Sequence, residues 1–317
     1  MGACVKCRNA LHCAKHGTYK LVHKDRLTRY LWLNEHVHTH YRPPKLPATL
    51  CMKSALHITN ETINIWSHLA GFLYFSYCQF DANFRRLPLM GASGTDHFVF
   101  TMSLLASQVC MLFSALFHTF GCSSTKKRRK FLNLDVFGIS AGLLGMYLSG
   151  LYTAFFCFRE ALQSYLYFLA VLLCIAGYLP SKREKLVKEG TRVGPLHLFY
   201  TALVLAGFLP TMHWISMHGG LSSAYVHQWL PNMAIVYALT GGAFFFYATL
   251  IPERLAPGKF DVWGSSHQWW HLLILAAMII WHGAGMAHLE DHYRNPSQCP
   301  SLTEIAAKPF NRSQPIY

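Results

Sequence analysis

The sequence predicts an all-α membrane protein with seven transmembrane helices, and three observations lead to that prediction. The chain of 317 residues is 52% hydrophobic and 15% aromatic but only 13% charged, a composition far from that of a soluble domain. Seven apolar stretches approach the ~20 residues that a helix needs to cross the hydrocarbon core of a bilayer. Lysine and arginine concentrate in alternate loops between these stretches, which is the charge bias of multi-span membrane proteins.

The seven predicted spans form one transmembrane domain over residues 50–290. They run over residues 63–80, 97–120, 131–156, 161–180, 194–217, 229–251 and 267–289. Residues 1–49 are expected to form a basic cytosolic tail rich in cysteine and histidine, and residues 291–317 a short luminal tail. Because the first 50 residues lack the apolar core of a secretory signal, we expect the first span to act as the insertion signal.

Charge placement predicts the orientation. Of the 28 lysine and arginine residues, 22 fall in the N-terminal segment and the loops on one side, and 6 fall on the other side. Basic loops resist translocation, so we expect a cytosolic N-terminus and a luminal or extracellular C-terminus. The same bias, together with anionic lipid, accounts for the net charge of +14, so nucleic acid is not an expected partner. Of two Asn-x-Ser/Thr sites, Asn311 but not Asn60 is then expected to carry glycan.

Polar residues with helical spacing mark the cytosolic ends of three predicted spans. Ser114 and His118 end the second span, and His267 and His271 open the seventh. Asp135 lies near the start of the third span, at the same membrane level. Residues four apart share one face of a helix, so the three imidazoles can converge on one metal ion. The pattern therefore indicates a candidate metal site at the cytosolic side.

The residue types of this candidate site suit a catalytic zinc ion. Three neutral imidazoles would leave the fourth position of tetrahedral Zn²⁺ open for water. Asp135 could orient or deprotonate that water, and the Ser114 hydroxyl could polarise a substrate carbonyl. An acyl chain enters a helix bundle more easily than a polar solute does, so a lipid amide or ester is the expected substrate. Spacing alone leaves a structural alternative open, since the chain has 19 histidines and interfacial histidines often only bind headgroups.

Other positions near the spans are expected to serve packing. Glu61 and Asn64, at the mouth of the first span, could close the candidate site or cap the helix, and we favour capping. Pro210 predicts a kink in the fifth span. Three glycines predict a close contact of the third span with a neighbour, and they are Gly138, Gly142 and Gly145.

Four stretches of the sequence together resemble the progestin and adipoQ receptor family, which is related to the haemolysin III proteins. They are the run NETINIWSH at residues 60–68, the Ser114 and His118 pair, Asp135 with Gly138, and the run GSSHQWWH at residues 264–271. The resemblance covers residues 50–290. It implies a seven-helix fold with the N-terminus inside. It also implies zinc on His118, His267 and His271, with Ser114 and Asp135 nearby.

Two branches of that family have roles of different classes, and both are carried forward as expectations. The run CMKS at residues 51–54 and the run PER at residues 252–254 place the chain nearer the Golgi branch. That branch is associated with holding Raf kinase at the Golgi through the cytosolic N-terminus, which dampens Ras/Raf/MAPK signalling. The adiponectin receptor branch is associated with ceramide hydrolysis.

The resemblance thus implies a zinc-binding signalling regulator in the Golgi membrane, with the plasma membrane as the alternative compartment and Raf kinase as a partner. The alternative function is a zinc-dependent hydrolase of a lipid amide. In that case Asp135 and Ser114 would be the catalytic residues and a membrane lipid the substrate.

The N-terminal tail differs from the long N-terminal domain of the adiponectin receptor branch. It is short and basic, with Cys4, Cys7, Cys13 and His16 close together. These could hold a second zinc ion, but their intervals are too tight for a well-formed finger loop, and reduced cytosolic thiols are the favoured interpretation. No spacing among the ten cysteines requires a disulfide.

Overall fold

The computed structural model describes residues 19–186 and 193–295, and these residues are predominantly helical. The α-helices are α1 (Ala48–Ser54), α2 (Thr62–Asp81), α3 (Leu87–Met90), α4 (Gly94–Phe120), α5 (Thr125–Ala154), α6 (Arg159–Leu186), α7 (Pro195–Ala206), α8 (Phe208–Met217), α9 (Ala224–Thr249) and α10 (Ser266–Arg294). The candidate second zinc site at Cys4, Cys7, Cys13 and His16 and the glycan site at Asn311 lie outside the described residues.

Five helical segments of the described chain are long and apolar enough to cross a membrane. They are α4, α5, the joined α7 and α8, α9 and α10. Helices α2 and α6, of 20 and 28 residues, are the other long ones in the described ranges. The prediction of an all-helical membrane protein is therefore confirmed. Several helices exceed the predicted spans, because polar ends continue a helix: α5 includes the basic run 126–130, and α10 continues into the predicted luminal tail as far as Arg294.

Helices α4 and α5 make a close contact at the three glycines. A Cβ atom added to Gly138 would lie 3.1 Å from the Cα atom of Cys110, and one added to Gly145 would lie 2.7 Å from the Cβ atom of Ala106. The backbones can approach this closely only because no side chain separates them. The predicted close contact of the third span is confirmed.

The helix of the fifth predicted span is interrupted one turn before Pro210. Helix α7 ends at Ala206 and α8 begins at Phe208. Pro210 has no N–H to donate to the carbonyl four residues before it, which is that of Ala206. The predicted kink is therefore confirmed, and it lies one turn before the proline.

The described part of the N-terminal segment is folded rather than extended. Two single turns of 3₁₀ helix, at Lys24–Arg26 and Arg29–Leu31, precede α1. A small apolar cluster of Leu27, Val37 and Tyr41 holds them together. This local structure was not predicted from the sequence, because a cluster of three apolar side chains leaves no periodic signal in the sequence.

Candidate metal centre

The three predicted ligands meet between two helix ends. His118 lies in the last turn of α4, and His267 and His271 lie in the first two turns of α10. One potential ligand atom from each histidine lies within 4.8 Å of the other two. His118 and His271 are buried, with exposed fractions of 3% and 2%. The structure therefore brings the three imidazoles together in a site shielded from solvent.

The spacing of two of the three donor atoms fits a tetrahedral zinc ion. The Nε2 atoms of His267 and His271 are 3.3 Å apart. Two nitrogens bound to one zinc ion at ~2.0–2.1 Å in tetrahedral geometry would be separated by ~3.3–3.4 Å. The ring of His118 completes the group, with its centroid 5.2 Å from that of His267 and 4.6 Å from that of His271.

Glu61 orients the first of these histidines. His118 Nδ1 donates a hydrogen bond of 2.8 Å to Glu61 Oε2, and Asn64 Nδ2 donates one of 2.7 Å to the same oxygen. Since Nδ1 is used in this way, Nε2 of His118 is the atom left for a metal. Burial raises the pKa of Glu61, but His118, Arg42 and Asn64 together outweigh burial and lower it to about 2.

The favoured interpretation of Glu61 as a helix cap is wrong. Glu61 occupies the N-cap position of α2, but its side chain makes no capping hydrogen bond there. A carboxylate bound to His118 is not available for the first backbone N–H groups of the helix. The weaker alternative, in which Glu61 closes the site, is the one that the structure supports.

The predicted acid and hydroxyl lie beside the histidines. Ser114 is buried one turn before His118 on α4. Asp135, on α5, interacts with the hydroxyl of Ser114 and lies in the field of His118. All five residues singled out by the sequence therefore lie in one place, and the catalytic roles of Ser114 and Asp135 remain predictions.

His68 is a further buried histidine beside the centre, and it was not among the candidate ligands predicted from the sequence. Its ring lies over that of His271, with centroids 3.9 Å apart. Neither ring nitrogen of His68, nor Nδ1 of His271, has a hydrogen-bond partner among the described residues. Buried polar atoms of this kind usually bind water or a ligand. The signal in the sequence was the spacing of Asn64 and His68, which are four residues apart on α2.

The start of α10 is fixed by the loop before it. Glu253 is fully buried and accepts a hydrogen bond of 2.7 Å from the backbone N–H of Ser266. Gln268 donates to the carbonyl of Val262 and accepts from the N–H of Gly264, at 2.7 and 2.6 Å. The bond to Ser266 satisfies an N–H group that a helix N-terminus leaves unpaired, and the bonds of Gln268 fix the loop against the first turn, which carries His267.

The cysteines differ between the two ends of the molecule. Near the metal centre, the sulfur atoms of Cys51 and Cys122 are 3.7 Å apart, and both cysteines are free. Cys157, which follows α5 at the opposite end, is disulfide-bonded. The sequence did not indicate this disulfide, because no spacing pattern among the ten cysteines singles out Cys157.

Comparison with known proteins identifies the family. The Haemolysin-III related family matches residues 56–282, a range that contains the five predicted site residues and Glu61. "Progestin and adipoQ receptor family member 3" of Mus musculus is 35% identical over 257 residues, covering 80% of this chain and 81% of that protein. The chain belongs to the progestin and adipoQ receptor family.

Other members of the family extend the likeness. "Adiponectin receptor protein" of Drosophila melanogaster is 33% identical over 286 residues, which cover 89% of this chain and 62% of that protein. "Heptahelical transmembrane protein ADIPOR2" of Oryza sativa is 31% identical over 190 residues, which cover 60% of this chain and 81% of that protein. The family and the helices together make this chain a multi-pass integral membrane protein with the heptahelical fold of its relatives.

Proposed function

We propose that this member of the progestin and adipoQ receptor family is a membrane receptor or signalling regulator that holds one zinc ion on His118, His267 and His271. The observation that carries the proposal is the convergence of their ligand atoms, all within 4.8 Å of one another. A tetrahedral ion on three protein ligands keeps one open position, so the same centre can take a ligand or a substrate group from the bilayer.

The orientation proposed for the chain places this centre at the cytosolic face. The charge bias supports it, with 22 of 28 lysine and arginine residues on that side. The cysteines also support it, because free thiols beside the centre suit the reducing cytosol and the disulfide at Cys157 suits an oxidising lumen.

The partner and compartment proposed for the receptor function follow from the resemblance to the Golgi branch described above. We propose the Golgi membrane as the compartment, with the plasma membrane as the alternative, and Raf kinase as a partner of the cytosolic N-terminal segment. The described part of that segment carries exposed basic side chains at Lys20, Arg26 and Arg29, which suit an acidic protein surface. The bilayer itself is the second partner, as a source of lipid ligands.

A second function, hydrolysis of a lipid amide, is favoured by the position of Asp135 and Ser114. A bound zinc ion would supply Lewis-acid polarisation of a carbonyl and a more acidic water. Asp135 is placed to accept the proton of the attacking water, and the Ser114 hydroxyl to donate a hydrogen bond to the carbonyl oxygen. The amide and one water would yield a fatty acid and an amine.

The test compares two double variants of the full chain in detergent. The first, His267→Ala/His271→Ala, removes two proposed ligands. The matched control, His288→Ala/His292→Ala, removes a pair with the same spacing from the other end of the same helix. Zinc content is measured for the parent and both variants, and hydrolysis of a labelled ceramide is measured in parallel.

We expect one zinc ion in the parent and the control and none in the first variant. Ceramide hydrolysis that disappears with the zinc would establish the hydrolase function. Zinc without hydrolysis would leave the receptor function, and a parent without zinc would refute the metal centre.

A further inference from the structure

Arg42, in the N-terminal segment, binds the end of the helix that carries His118. The guanidinium of Arg42 donates to the carbonyl oxygens of His118 and Thr119, at 2.8 Å for the latter, and its Nη1 lies 3.0 Å from the Ser54 hydroxyl. Arg42 is 5% exposed. These carbonyls belong to the last turn of α4, where a helix has no backbone donors of its own. Arg42 therefore satisfies and positions the turn that presents the first zinc ligand.

Residues 34–39 of the same segment bind the loop that leads to His267 and His271. Asn34 Nδ2 donates to Glu253 Oε1 at 2.8 Å, and Glu253 in turn holds Ser266, the residue before His267. The backbone N–H groups of His38 and Thr39 donate to the two carboxylate oxygens of Asp261, at 2.9 and 2.8 Å.

The two carboxylates that accept these hydrogen bonds lie in the interior of the protein. Glu253 and Asp261 are buried, with exposed fractions of 0% and 5%. A buried carboxylate left without its donors is strongly destabilising, so the loop and the N-terminal segment hold each other in place.

We propose that residues 34–42 are a clasp that sets the separation between the two halves of the metal centre, with Arg42 and Asp261 as positioning residues. The proposal rests on the zinc site proposed above. The clasp touches α4 just after His118 and the loop just before His267, so it spans the gap that a metal ion would bridge from the inside.

The clasp also couples the centre to the cytosolic surface. If zinc binding and the closed clasp favour the same arrangement of these contacts, each must stabilise the other by the same free energy. Zinc binding therefore tightens the clasp, and a protein partner that pulls residues 34–42 away from the loop lowers the affinity for zinc. The metal centre would in this way report the binding state of the N-terminal segment.

The first test measures zinc affinity by competition with a chromophoric chelator in detergent. The variant is Arg42→Gln, and the matched control is Arg29→Gln, an exposed arginine of the same segment. Loss of a group that orients a metal ligand typically costs ~10–100-fold in affinity. We expect at least a tenfold loss for Arg42→Gln and less than a twofold change for Arg29→Gln.

The second test measures amide hydrogen exchange in peptides that cover residues 34–42 and 250–266. Zinc should slow exchange in both peptides of the parent. Arg42→Gln should speed exchange in residues 250–266 even without zinc, because the clasp transmits the change. Within the described ranges, the hydrogen bonds of the Arg42 side chain go to Ser54, His118 and Thr119 and not to that loop.

The outcomes separate the clasp from the zinc site. Weak zinc binding by Arg42→Gln with unchanged exchange in residues 250–266 would overturn the clasp and leave a local effect on His118. A parent that binds no zinc would refute the proposed function, and the metal-free exchange comparison would still decide the clasp. If Arg42→Gln does not fold, the effect of zinc on exchange in the parent decides it, and unchanged exchange in residues 34–42 would overturn it.

Discussion

The two ends of α10 carry the same motif in two different environments. His267 and His271 open the helix, and His288 and His292 lie near its close, with three residues between the members of each pair. Both pairs present two imidazoles on one face. The first pair meets His118 and leaves donor atoms facing one another.

The second pair is used for structure. His288 Nε2 lies 2.6 Å from the hydroxyl of Tyr225, and His292 Nε2 lies 3.0 Å from the carbonyl oxygen of Thr153. The two rings stack on each other at 4.7 Å. Helical spacing therefore supplies two aligned imidazoles, and the neighbouring helices decide whether these become ligands or packing groups.

The largest expected effect comes from removing the third ligand. His118→Ala should abolish the thermal stabilisation that zinc gives the parent, whereas His292→Ala should retain it. Zinc at ~100 times its dissociation constant stabilises a folded protein by ~2.7 kcal/mol, which corresponds to roughly 4 °C for a protein of this size. Thermal unfolding in detergent, with zinc and with chelator, measures this shift. An equal shift in both variants would show that His118 is not a zinc ligand.

A smaller effect is expected from substituting Glu61, whose carboxylate binds His118 at the end of the molecule that holds the metal centre. Glu61→Gln keeps an oxygen that can accept from His118 Nδ1 but removes the charge. We expect the affinity for zinc to fall ~10-fold, near the lower limit for such partners, and to fall further in Glu61→Ala. Competition titration with a chelator measures both. Equal affinities in the parent and Glu61→Ala would show that Glu61 does not support the centre.

The carboxylate at the opposite end should behave differently. Asp96 is buried and accepts hydrogen bonds from the hydroxyls of Tyr152 and Tyr293, at 2.8 and 2.7 Å, and from Ser93. Asp96→Asn should lower stability by ~1–3 kcal/mol, because buried donors lose an acceptor. Its zinc affinity should match that of the parent. A loss of zinc from Asp96→Asn would mean that the two ends are coupled.

The smallest effect concerns the thiols beside the centre. The hydrogen bond from Cys51 lowers the pKa of the Cys122 thiol. The thiolate is the form that attacks a disulfide, so oxidised glutathione should cross-link Cys51 and Cys122 several-fold faster at pH 8 than at pH 6, releasing two molecules of reduced glutathione. Peptide mapping measures the product. Cys51→Ser serves as the control, and a rate independent of pH would contradict the assignment.

The sequence predicted what depends on local periodicity. The apolar spans, the kink at Pro210 and the shared faces of the histidine pairs all follow from one helix at a time. Contacts between distant segments could not be predicted in this way. Glu61 and His118 are 57 residues apart and Asn34 and Glu253 are 219 apart, and neither pair belongs to a repeating pattern. His68 shows the same limit, because its neighbour His271 is on another helix.

The glycines of α5 have a consequence for the chemistry at a site they do not touch. Gly138 lies one turn from Asp135, and it packs on Cys110, which lies one turn from Ser114. The direct contact of the two helix backbones therefore sets the distance between the Asp135 carboxyl group and the Ser114 hydroxyl. A single methyl group at Gly138 would push the two helices apart at this level and move Asp135 away from Ser114, while leaving both of these side chains unchanged in the sequence.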